Sequence, residues 1–73
     1  PLFEQIADII AARIADGTYA AGARVPSILA MRAEFGVARG TGQKVLELLD
    51  DRGLIRLTPG LGYFVRPGAG PAA

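Results

Sequence analysis

The chain has no cysteine and no histidine among its 73 residues. Without cysteine there is no disulfide and no thiolate site, and the redox state of the compartment leaves no mark. Histidine, the commonest acid–base group and metal ligand, is missing as well. The carboxylates do not compensate. Asp50 and Asp51 are adjacent on one helix and so point different ways, which is poor metal geometry, and no carboxylate pair is placed for acid–base work. Pro59-Gly60-Leu61-Gly62 lacks the lysine and the spacing of a phosphate-binding loop. Neither an enzyme nor a cofactor or metal site is expected. No apolar run approaches the roughly 18 residues of a membrane span, and no signal peptide is visible.

What is present is a small core and an uneven charge. Seventy-three residues make one domain, and the 51% apolar content overstates its core because thirteen of those residues are alanine. A domain of this size buries only about 60% of its unfolded surface, so a stability of a few kcal/mol is expected. The net charge of +1 is too weak to name a partner. Its distribution says more: residues 1–23 carry −2, residues 24–44 carry +3, residues 45–53 carry −2 and the remainder +2. Positive charge gathers in the middle of the chain and again near its end, the footprint of a DNA-binding face. The chain opens on Pro1 rather than methionine, which predicts a processed or trimmed piece of something longer.

The stretch Pro26 to Gly53 organises the rest. Ser27 can cap a first helix through its hydroxyl. Leu29, Ala30, Ala33 and Phe35 are expected to form that helix's short apolar stripe, and Gly36 to stop it. Val37 should turn inward and pin it to a second helix over residues 39–52. In that second helix Gly42, Val45, Leu46 and Leu49 fall at i, i+3, i+4 and i+7, so one face is buried. The opposite face carries Gly40, Gln43, Lys44 and Glu47, with Arg39 at the helix start. Donors in the first two turns suit a helix that enters a groove N-terminus first, its positive dipole end toward phosphates. The pattern predicts a helix-turn-helix with recognition helix 39–52.

Before it, residues 2–16 read as a helix with an apolar stripe of Leu2 or Phe3, Ile6, Ile9, Ile10 and Ile14. Residues 17–25 read as a loop in which Tyr19 packs, with Arg24 and Val25 able to make a very short strand. After it, Leu54–Thr58 and Gly62–Arg66 are β-prone runs around Pro59-Gly60-Leu61, a hairpin signal. The predicted fold class is α+β, mainly α: a winged helix-turn-helix of three helices and a β-hairpin wing. It spans residues 1–66, and residues 67–73 read as a flexible tail or linker.

Four blocks in order, LFEQIADIIAARIADGTYAAGARVPS, EFGVARGT, VLELLDDRGLI and PGLGYFV, resemble the N-terminal domain of the GntR family of bacterial transcription regulators. The resemblance covers residues 2–65. It implies sequence-specific binding of double-stranded operator DNA, a cytoplasmic protein, and two copies on one near-palindromic site. It also implies a C-terminal effector-binding and dimerising domain, which nothing after Val65 could form; without one, a monomer or weak dimer is expected in the absence of DNA.

Carried over residue by residue, Arg39 would read a guanine or a phosphate, and Thr41 would contact a phosphate. Gln43 stands where the family usually has arginine, and its amide favours adenine. Ala38 and Gly40 flank Arg39 without the usual hydroxyls, Ile28-Leu29 replaces the usual Glu-Arg after Pro-Ser, and Leu61 replaces the usual basic residue of the wing tip. Lys44 and Arg32 add positive charge, Ser27 lies at the edge of the same face, and Gly60 lets the wing backbone approach a phosphate or the minor groove. The competing reading is a protein-interaction module that uses the apolar Ile28, Leu29 and Leu61 as contact points.

Overall fold

A computed structural model describes residues 1–71; Ala72 and Ala73, the end of the expected tail, lie outside the described residues. Three helices, α1 (Leu2–Ala15), α2 (Ile28–Phe35) and α3 (Arg39–Asp51), are followed by an antiparallel hairpin of β1 (Ile55–Thr58) and β2 (Gly62–Val65). Every predicted element is present, with ends within one residue of the expected ones.

Apolar spacing builds the core. Ile6, Ala7, Ile10 and Ile14 form one stripe of α1 and are buried, with Phe3 and Ala11 half-buried beside them. Phe3, not Leu2, therefore heads the stripe. Ile9 departs from expectation: one residue round from Ile10, it lies on the flank of the stripe and is exposed. The stripe packs on the Gly42, Val45, Leu46 and Leu49 face of α3, as that helix's period predicts. Val37 in the turn is buried, and Ile55 and Val65, paired across the hairpin, close the core from below.

The second helix corrects the expected stripe. Leu29, Ala30 and Ala33 are exposed, Phe35 is only half-buried, and the residue that disappears from solvent is Met31. Gly42 of α3 sets the rotation. A Cβ built there would meet Ile28 Cγ2 at 3.3 Å, so the glycine lets α2 settle on α3 through Ile28. Ile28, Met31 and Phe35 then share the inward face at i, i+3 and i+7. Ser27 Oγ accepts from Ala30 N at 3.1 Å, a cap worth about 1 kcal/mol. Gly36, at φ 68°, ends the helix in the left-handed region that glycine enters without steric cost.

Residues 22–25 run along the outer edge of β2. Gly22 N donates to Val65 O at 2.9 Å, Val65 N to Ala23 O at 2.8 Å, and Val25 N to Tyr63 O at 3.1 Å. Arg24 bridges Phe64, so the very short strand expected at Arg24–Val25 is a single bridge that makes β2 the middle of three extended segments. Residues 67–71 turn back on the end of α1: Ala69 packs against the core, Gly70 lies beside Ile14 O, and Pro71 lies beside Gly17.

Arg13 ties α1 to α2. Its guanidinium is held by both carboxylate oxygens of Glu34, donates to the Tyr19 hydroxyl at 2.7 Å, and lies over the Phe35 ring. The Arg13 hydrogen bond holds the Glu34 carboxyl below its ordinary pKa. Asp16 is lowered as well, chiefly by the Thr18 hydroxyl and then by the Thr18 N–H. A carboxyl depressed in the folded state adds stability above its unfolded pKa and loses it as pH falls through the folded value. Urea midpoints should therefore fall on acidification below about pH 5, the onset of protonation of an ordinary carboxylate. Glu34→Gln should make that decline shallower; an unaltered acid profile would remove Glu34 from the account.

Candidate nucleic-acid interface

The first turn of α3 is electrostatically incomplete. Its N-cap is Ala38, which offers no side-chain acceptor to the free N–H groups, and the turn contains no acidic residue. Instead it begins with Arg39, whose charge opposes the positive end of the helix dipole. Arg39 and Gly40 are exposed, and a Cβ at Gly40 would meet nothing within 4 Å. An anion placed here would relieve both the open donors and the repulsion.

The remaining cations are sorted by position. Arg13 pairs with Glu34, Arg52 with Asp8 at 2.8 Å and Arg66 with Asp50 at 3.7 Å. Among the described residues, Arg24, Arg32, Arg39, Lys44 and Arg56 have no carboxylate within ion-pair distance. Of the acids toward the end of α3, Asp50 alone has an ion-pair partner among the described residues, while the cations near the helix start have none.

Two grooves cross this face. One is lined by Ile28, Leu29, Arg32 and Arg39. The other, of about 370 Å³, runs from Arg24, Ser27 and Leu29 past Gln43 to Leu57 and Leu61 on the hairpin. Of the candidate residues, the structure therefore gathers Ser27, Arg32, Arg39, Gln43 and Leu61 around Leu29. Ser27 uses one of its two oxygen lone pairs for the cap and keeps its O–H to donate. Gln43 Nε2 donates to Glu47 Oε2 at 3.2 Å, which leaves its Oε1 and a second N–H for a base edge.

Ala38, Gly40, Thr41, Lys44 and Gly60 do not line these grooves. Ala38 and Gly40 are exposed at the start of α3, and Thr41 is half-buried behind them. Lys44 leans the other way, its ammonium 5.7 Å from the centre of the Phe3 ring. Gly60, at φ 79°, follows Pro59 in the turn closed by Leu61 N donating to Thr58 O at 3.0 Å, the Pro-Gly pairing of a type II turn.

The wing has a strut that local sequence pattern did not single out. Arg24 donates from Nη2 to Leu61 O and stacks its guanidinium over Phe64, holding the hairpin tip toward α2. Its partner lies 37 positions away, beyond any local periodicity. The one signal available was the β-prone Arg24-Val25 step.

Three helices with a capped turn between the last two, then a hairpin beside the third, make this a winged helix-turn-helix domain. The solved DNA-binding domain of AraR in complex with operator ORR3 superposes with a TM-score of 0.83 at 29% identity, over 89% of this chain and 78% of that one. The family model of bacterial regulatory proteins, gntR family, matches residues 2–65. The chain belongs to the gntR family of bacterial regulatory proteins. An uncharacterised HTH-type transcriptional regulator of Rhizobium meliloti is 42% identical over 64 residues, which are 88% of this chain and 26% of that protein. The mannosyl-D-glycerate transport/metabolism system repressor of Escherichia coli is 36% identical over 66 residues, 90% of this chain and 28% of the repressor. The chain thus spans about a quarter of the length of these relatives.

Proposed function

We propose that this domain binds double-stranded operator DNA sequence-specifically to regulate transcription, with α3 in the major groove and the β1–β2 wing on the adjacent minor groove or backbone. The observation that carries the reading is the start of α3: an uncapped helix N-terminus bearing Arg39, with Arg32, which likewise has no carboxylate partner among the described residues, in the same groove. The operator complex of the AraR DNA-binding domain supports it. In this reading Arg39 grips a guanine edge or a phosphate, Thr41 and Ser27 donate to phosphates, and Gln43 reads one base pair. Gly40 and Ala38 give the backbone room to approach, and Gly60 and Leu61 carry the wing to the DNA. Two copies would occupy one near-palindromic site, their recognition helices about one DNA turn apart. Such a regulator works in the bacterial cytoplasm. A small-molecule effector would act through a domain other than this one, where the full protein carries it.

Selection from a randomised duplex library followed by titration over a salt series tests the reading. A sequence should be enriched, and its affinity should fall steeply with salt. Lys44→Ala should weaken selected and scrambled duplexes alike and lower the salt slope by about one. Gln43→Ala should relax preference at one base pair and leave the slope unchanged. Equal indifference of both variants to sequence and salt would overturn the placement of α3. The exposed Leu29 and Leu61 favour the second reading, a protein-interaction module, which would then take precedence.

A further inference from the structure

Leu29 is the most exposed large apolar side chain of the described residues, 73% accessible on the first turn of α2. It contributes nothing to the core, so folding stability does not account for it. Its position is specific: it forms the ridge shared by both grooves of the candidate interface. On one side lie Arg32 and Arg39; on the other lie Ser27, Gln43 and, further out, Arg24 and Leu61. Among the described residues, no carboxylate lines either groove.

An apolar knob between guanidinium groups complements an apolar spot inside an anionic frame. In duplex DNA the only such spot at a base edge is the C5-methyl group of thymine, which lies in the major groove between the two phosphate strands. We propose that Leu29 is a specificity-determining residue that packs on a thymine methyl while Arg32 and Arg39 engage the flanking phosphates. The assignment rests on the DNA-binding reading above and adds a base preference to it. A peptide partner would have to combine an apolar pocket with acidic flanks, because Leu29 protrudes instead of receiving. The thymine methyl needs no such pocket, only contact.

The test uses the 73-residue chain and the duplex it selects from a randomised library, remade with deoxyuridine in place of each thymidine in turn. Deoxyuridine keeps every hydrogen-bonding group and removes only the methyl. At one thymidine the exchange should weaken binding by about fourfold, the loss of one buried methyl. Leu29→Ala should weaken the thymidine duplex to a similar degree and become indifferent to the exchange at that position. Ile9→Ala, an exposed apolar truncation outside both grooves, should keep the full effect. Thermal melting of Leu29→Ala should match the parent, since the side chain is outside the core. Unchanged affinity on every deoxyuridine duplex overturns the assignment and leaves DNA binding standing. So does a methyl effect that survives in Leu29→Ala. Failure to enrich any sequence overturns the DNA reading itself and directs the search to acidic, apolar peptides.

Discussion

Arg39→Ala is expected to weaken binding to a selected duplex by about 1–3 kcal/mol, the largest loss of any single residue on the interface. The guanidinium is exposed at the first position of α3, has no carboxylate partner among the described residues, and shares a groove with Arg32 and Leu29. It is also poorly placed for the free protein, since a cation at a helix N-terminus opposes the dipole by about 0.3–1 kcal/mol. The substitution should therefore leave the urea midpoint unchanged or raise it slightly while binding falls. That opposition separates a DNA ligand from a structural arginine, whose removal would lower both. Parallel urea titrations and binding isotherms decide it. Binding equal to the parent's, or a clear loss of stability, would remove Arg39 from the proposed contact set.

The core of α3 was legible because its period is long and unambiguous. Gly42, Val45, Leu46 and Leu49 stand among polar residues, so only one face can be buried. Punctuation was equally clear: Gly36 and Gly53 adopt positive φ at the ends of α2 and α3, and Pro59-Gly60 turns the hairpin. The face of α2 was not legible. Eight residues make barely two turns, and alanines at 30 and 33 let a false stripe through Leu29 look as regular as the true one through Met31. Only the notch at Gly42, filled by Ile28 from another helix, decides between them.

For the candidate interface, the sequence offers residue types but not their grouping. Arg39, Gln43 and Lys44 share the outward side of α3, yet Lys44 reaches toward Phe3 while Gln43 opens into the groove beneath the wing. The strut from Arg24 to Leu61 and the tie from Arg13 to Glu34 join residues far apart in the chain and leave no local pattern. Ile28 and Leu29, adjacent in sequence, have opposite roles for the same reason. The rotation of α2 turns one into the α3 contact and leaves the other on the ridge between the grooves.

Leu49→Ala should destabilise the domain by about 2–5 kcal/mol, the range for truncating a fully buried leucine. Leu49 has no accessible surface and lies in the last turns of α3, within the cluster that includes Ile10, Ile14 and Ile55. Little in α3 would hold it helical alone. Gly40 and Gly42 each cost roughly 0.5–1 kcal/mol relative to alanine. There is no side-chain cap, and no basic residue lies in the last turn to offset the acids there. Thirteen residues are also near the lower limit for an isolated helix in water. Burial of Val45, Leu46 and Leu49 is thus what orders the surface that presents Arg39 and Gln43. A domain of this length holds only about 0.05–0.15 kcal/mol per residue in total. One missing side chain in the core should therefore leave a large fraction of molecules unfolded well below the parent's melting temperature. Chemical denaturation should show a lower midpoint, and DNA titration should show fewer active molecules whose affinity matches the parent's. A midpoint within error of the parent's would mean that α3 is held by something other than its buried face.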